Sequence, residues 1–154
     1  MRLIFDMDGT LNRFYSYPNW LELLRAYDSK PYREAKPMWD MKKLANILNT
    51  CRHNGITIVI CSWLSKESTK EYNHETRKAK REWLNDFNFP YDEIHLVKYG
   101  TPKHKYRSPK ERNILIDDNK EIREAFSKFN NCSAVDPAET NIVEWLERMM
   151  ENVV

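Results

Sequence analysis

The sequence predicts an α/β fold built on a five-stranded parallel sheet with helices on both faces. Three observations predict it. Five short apolar runs, Leu3–Phe5, Ile56–Cys61, Ile94–Val97, Ile114–Ile116 and Ser133–Val135, alternate with segments of helical patterning. The runs are continuous and mostly β-branched rather than alternating apolar with polar, as strands covered on both faces require. The chain has only three glycines (Gly9, Gly55 and Gly100), and each stands next to one of these runs, where a turn belongs.

The elements can be justified in chain order. Arg2-Leu-Ile-Phe5 is a strand that runs straight into Asp6-Met-Asp8-Gly9-Thr10. Residues 12–37 are rich in aromatics (Phe14, Tyr15, Tyr17, Trp20, Tyr27 and Tyr32) and suit a short flap, with Trp20–Leu24 a brief helix whose Trp20 and Leu24 face the core. Trp39–Leu48 has helical apolar spacing, and His53-Asn-Gly55 stops it before the second strand. Thr69–Phe87 reads as a long charged helix burying Ala79, Trp83, Leu84 and Phe87, and Asn119–Phe129 as a further helix. The last helix is expected to start at Asp136-Pro137-Ala-Glu139, with Asp as cap and Pro at the first position. It would bury Ile142, Val143, Leu146 and either Met149 or Met150. The whole of 1–154 is expected to form one domain with the flap at about 12–37.

Bulk composition narrows the function classes. With 25 basic and 23 acidic residues the net charge is only +2, so no global field selects nucleic acid or membrane. Three cysteines, Cys51, Cys61 and Cys132, lack metal spacing and are expected to stay reduced, in a cytoplasmic protein. No run is long enough to cross a bilayer, and the four histidines show no ligand spacing.

Chemistry concentrates where strands end. In an open parallel sheet, ligands bind beyond the carboxyl ends of the strands, where strand order reverses. The first strand delivers Asp6 and Asp8, one residue apart, into a tight turn, and two anions so close need a metal ion or a shared proton. Ser62 follows the second strand, Thr101, Lys103 and Lys105 follow the third, and Asp117-Asp118 follow the fourth. Each has a plainer reading: Asp117-Asp118-Asn119 can cap the helix it precedes, and Ser62 can be an ordinary polar strand end.

This order of motifs resembles the haloacid dehalogenase superfamily of phosphohydrolases over residues 2 to about 136, on D-x-D-G-T at Asp6–Thr10, Ser62, a lysine, and the pair Asp117-Asp118. The resemblance implies a Rossmann-like fold and an Mg²⁺-dependent phosphatase. Asp6 would attack phosphorus to form an aspartyl-phosphate, and Asp8 would protonate the leaving oxygen and then take a proton from water. The Mg²⁺ would lie on Asp6, the backbone carbonyl of Asp8, and Asp117 or Asp118. Gly9, Thr10, Ser62 and Lys103 would hold the phosphoryl group. Lys103 is preferred over Lys105 and Lys110 because related nucleotidases place the lysine in a Thr-x-Lys context.

The Cys61-Ser62 ending and the Ile114-Leu-Ile-Asp117-Asp118 string are similar to small proteins related to 5'(3')-deoxyribonucleotidases of phages and Gram-positive bacteria. That resemblance implies a nucleoside monophosphate substrate, with Phe14, Tyr15 and Tyr17 as the residues to stack on a base. The flap is shorter than that family's usual cap. Two other classes stay open. A nucleic-acid end-processing phosphatase would use the basic runs 77–81 and 103–112, and a non-catalytic protein would use the same pocket to sequester a nucleotide.

Overall fold

The computed structural model describes residues 1–152. Its five strands are β1 (Arg2–Phe5), β2 (Thr57–Trp63), β3 (Glu93–Val97), β4 (Asn113–Ile116) and β5 (Cys132–Val135), all parallel, in the order β3-β2-β1-β4-β5. The helices are α1 (Trp20–Arg25), α2 (Lys30–Glu34), α3 (Met41–His53), α4 (Lys70–Asp86), α5 (Lys120–Ser127) and α6 (Ile142–Glu151).

The continuous apolar runs have the burial they imply. Leu3, Phe5, Ile58, Ile60, Ile114 and Ile116 pack on one face with residues of α3, α4 and α6. Their neighbours Ile4, Val59, Cys61 and Leu115 pack on the other face with Phe126 of α5. Caps set the helix starts. Asp40, Thr69 and Asn119 each accept a backbone N–H from three residues on, so the helices begin at Met41, Lys70 and Lys120.

Several boundaries differ from the sequence expectation, and α3 begins at Met41 rather than Trp39. α6 begins at Ile142 rather than at Asp136-Pro137. Asp136 instead closes a turn, accepting from the Ala138 N–H at 2.9 Å and from Glu139 and Thr140 through its carbonyl, and Asn141 is the cap. β2 runs on through Ser62 to Trp63, because β3 continues alongside and Trp63 pairs with Val97.

Segment 12–37 is seated on α4. Phe14, Tyr32, Tyr72 and Ala79 form a separate buried cluster there. The indole N–H of Trp83 donates to the Ala35 carbonyl at 2.7 Å, and the Tyr72 hydroxyl donates to that of Asp28 at 2.8 Å. No helix among the described residues is long and apolar enough to cross a membrane.

Candidate active site

Strand order reverses between β1 and β4, and Phe5 pairs there with Ile116. The next residues of those strands, Asp6 and Asp117, are therefore neighbours, and the Asp6 N–H donates to the Ile116 carbonyl at 3.0 Å. Asp6, Asp117 and Asp118 each present a carboxylate oxygen within 4.8 Å of the others. Lys103, in a short 3₁₀ turn after β3, is 4% exposed. Its ammonium lies between Asp6 Oδ1 (2.9 Å) and Asp117 Oδ2 (2.7 Å). Lys105 and Lys110 are exposed.

Three anions beside one ammonium leave excess negative charge. Burial, followed by the charge of Asp6, pushes the Asp117 carboxyl up to about 6 and the Asp118 carboxyl up to about 8. Burial also opposes the charge on Lys103, but Asp6 and Asp117 outweigh it and hold the amine above its usual range. An all-oxygen donor set with unbalanced negative charge suits a hard divalent cation such as Mg²⁺.

The D-x-D-G-T turn is shaped by its own bonds. Thr10 is fully buried, and its hydroxyl proton lies between Asp6 Oδ2 (3.0 Å) and Asp118 Oδ1 (3.4 Å). The same hydroxyl oxygen accepts the Asp118 N–H at 3.1 Å. Gly9 has φ +80°, and an added Cβ would stand 2.4 Å from Asp118 Oδ2, so no side chain fits. The Gly9 N–H is directed at Asn12 and that of Thr10 at the Met7 carbonyl. Gly9 and Thr10, expected on the phosphoryl group, therefore stand in bonds that tie the β1 loop together and to Asp118.

Asp8 and Ser62 meet at a residue the sequence reading missed. Lys80 of α4, counted there within a basic run, is fully buried. It donates to Asp8 Oδ2 (2.9 Å), Ser62 Oγ (2.7 Å) and the Trp63 carbonyl (2.8 Å). A signal for it was present. Thr76, Ala79, Lys80, Trp83 and Leu84 share the buried helical face, and a lysine on that face needs an anionic partner.

A cleft of about 800 Å³ opens above Asp6, Asp8, Lys103, Asp117 and Asp118. Of the expected stacking residues, Tyr15 is 54% exposed, lines the cleft and lies over Gly9. Phe14 is only 2% exposed and stacks on Tyr32 at 4.8 Å, so most of its ring belongs to the flap's own core. Tyr17 is outside the cleft lining and donates to Glu34. The cleft lining also includes a pair the sequence reading missed, Trp63 and Tyr99, with ring centroids 4.9 Å apart. The Trp63 indole N–H is fixed by the Thr101 carbonyl at 2.8 Å.

No family model matches the chain, and no curated protein is significantly similar to it. Solved structures are. The D,D-heptose 1,7-bisphosphate phosphatase from B. bronchiseptica, complexed with magnesium and phosphate, has a TM-score of 0.57 at 11% identity, over 99% of each chain. Two structures of the Pnkp1/Rnl/Hen1 complex, one titled as an RNA repair complex, give TM-scores of 0.55 and 0.56 at 13% and 14% identity. Each covers 88% of this chain, which spans only 45% and 42% of the matched chains. Likeness at these identities speaks for architecture alone, and the five-stranded parallel sheet flanked by helices is a Rossmann-like fold shared with these structures.

Proposed function

We propose that this chain is an Mg²⁺-dependent phosphomonoesterase acting through an aspartyl-phosphate on Asp6, with a nucleoside monophosphate or related nucleotide as substrate. The observation that carries the reading is Lys103 between Asp6 and Asp117 at the β1/β4 switch point, with Asp118 alongside. Asp6, Asp117, Asp118 and the Asp8 carbonyl would hold the cation, which when bound screens the phosphoryl charge from the carboxylates.

The chain's own residues do the rest. Asp6 is held at one oxygen by Lys103 and at the other by Thr10, so its orientation is set before substrate arrives. Lys103 neutralises charge on the transferring group. Asp8, raised above its usual range by burial, supplies the leaving-group proton and later takes one from water. Tyr15, Trp63 and Tyr99 line the same cleft and offer aromatic faces to a flat base.

The nucleotide reading gains over polynucleotide end-processing because two lysines of the basic runs, Lys80 and Lys103, are buried on carboxylates. They cannot track a phosphate backbone. The test is phosphate release, with and without Mg²⁺, from nucleotides, sugar phosphates and 3'- or 5'-phosphorylated oligonucleotides. Mononucleotide turnover that vanishes in Asp6→Asn is expected. Activity surviving in that variant refutes the mechanism, and preference for oligonucleotides refutes the substrate.

A further inference from the structure

The chain buries two lysines at the same sheet edge, and each is tied to a different aspartate of the β1 loop. Lys103 serves Asp6. Lys80 reaches Asp8 from α4, with all three ammonium donors used, on Asp8 Oδ2, Ser62 Oγ and the Trp63 carbonyl. The Tyr32 ring lies 4.9 Å from its ammonium and helps to enclose it. Lys80 does not line the cleft, so it acts from behind the residues that do.

Asp8 is left asymmetric. Oδ2 is clamped, while Oδ1 is buried and accepts no hydrogen bond of good geometry among the described residues, with the Asn12 side chain beside the carboxyl. A buried acceptor without a partner is costly and uncommon. Here it lies on a residue that lines the cleft beside Asp6.

We propose that Lys80 is a positioning residue for leaving-group proton transfer. It holds the Asp8 carboxyl group through Oδ2, the less buried of its two oxygens, and so sets how that group faces the scissile P–O bond. The inference rests on the phosphatase reading above. In the first step the Asp6–phosphorus bond forms, the bond from phosphorus to the leaving oxygen breaks, and the proton on the Asp8 carboxyl passes to that oxygen. In the second, a water oxygen bonds phosphorus, the Asp6–phosphorus bond breaks, and the water proton returns to the Asp8 carboxyl.

The test compares two esters in Mg²⁺, phenyl phosphate, whose leaving oxygen needs a proton, and 4-nitrophenyl phosphate, whose does not. Lys80→Met should lower kcat on phenyl phosphate by about 10²–10³-fold, the range of a lost general acid. It should lower kcat on nitrophenyl phosphate less than about 10-fold and leave KM little changed. In an Asp8→Asn background, Lys80→Met should cost less than about 3-fold more on phenyl phosphate, because the group it positions is already gone. Lys80→Gln, shorter and polar, carries the same comparison if the Met variant does not fold. Equal losses on both esters, or full additivity with Asp8→Asn, overturn the proposal while leaving the phosphatase intact. A wild type inactive on both esters overturns both.

Discussion

In a Lys103→Met variant, Asp6 and Asp117 lose the ammonium that lies between them. Each contact, at 2.7–2.9 Å, corresponds to a gross attraction of about 6 kcal/mol at an effective dielectric constant of about 20. Burying three charged groups cancels much of that. Removing one partner of a buried pair is then expected to cost about 3–5 kcal/mol, because the remaining charges are left uncompensated. For a chain of this length, at about 2–4 °C per kcal/mol, the melting temperature should fall by roughly 6–20 °C. The loss should be fullest at pH 8 without metal. At pH 5 it should shrink, because the Asp117 carboxyl, already pushed up to about 6, is then protonated. Added Mg²⁺ should restore part of the stability, since it neutralises the same carboxylates. It should not restore turnover, which loses a donor to the phosphoryl group and falls by about 10²–10³-fold. Thermal melts at both pH values with and without Mg²⁺, run beside Lys105→Met and Lys110→Met, decide it. Those two lysines are exposed, and their removal should stay within about 0.5 kcal/mol. A loss under about 1 kcal/mol at pH 8, or one that does not change between pH 5 and 8, refutes the reasoning. An inactive Lys105 or Lys110 variant moves the phosphate lysine elsewhere.

Two further outcomes follow from the same geometry. Because Asp117 and Asp118 are raised to about 6 and about 8, the folded metal-free protein binds more protons than the unfolded chain between about pH 4 and 8. Their contribution to stability therefore falls as pH rises through that window, while raised Lys103 contributes fully across it. Since a cation displaces those protons, the melting-temperature gain from a fixed Mg²⁺ concentration should be larger at pH 8 than at pH 6, and Asp118→Asn should flatten the difference; equal gains at both pH values would contradict this. Tyr15→Ala and Tyr99→Ala should each raise KM for nucleoside monophosphates about 5-fold, roughly 1 kcal/mol of stacking, and leave nitrophenyl phosphate almost untouched. Tyr17→Ala, outside the cleft, should change neither, and a parallel loss on both substrates would mark these residues as structural.

Much of the fold and half of the candidate site are legible in the sequence because both depend on local order. An apolar run is short and unbroken when a strand is covered on both faces, and a Ser, Thr, Asp or Asn caps wherever the next three N–H groups need an acceptor. Thus the five strands can be read from the sequence, and Asn119 as a cap, whereas α3, expected from Trp39, begins at Met41 behind Asp40. The two aspartates at the tip of β1 are equally local. The cap expected at Asp136 is instead Asn141, because Asp136 is taken up in its own turn. The rest depends on contacts between distant residues. Lys80 and Asp8 are 72 positions apart, and a lysine inside Arg77-Lys-Ala-Lys-Arg81 looks like solvated charge until α4 packs with that face inward. Phe14 and Tyr15 are adjacent aromatics with opposite fates, one stacked within the flap and one over the cleft. Trp63 and Tyr99 become a pair only because β2 and β3 run side by side to their ends. Sequence alone determined which residues carry charge to the edge of the sheet. Only the tertiary structure decided which charge faces which, because a buried ion's partner is selected by three-dimensional packing and leaves no period in the chain.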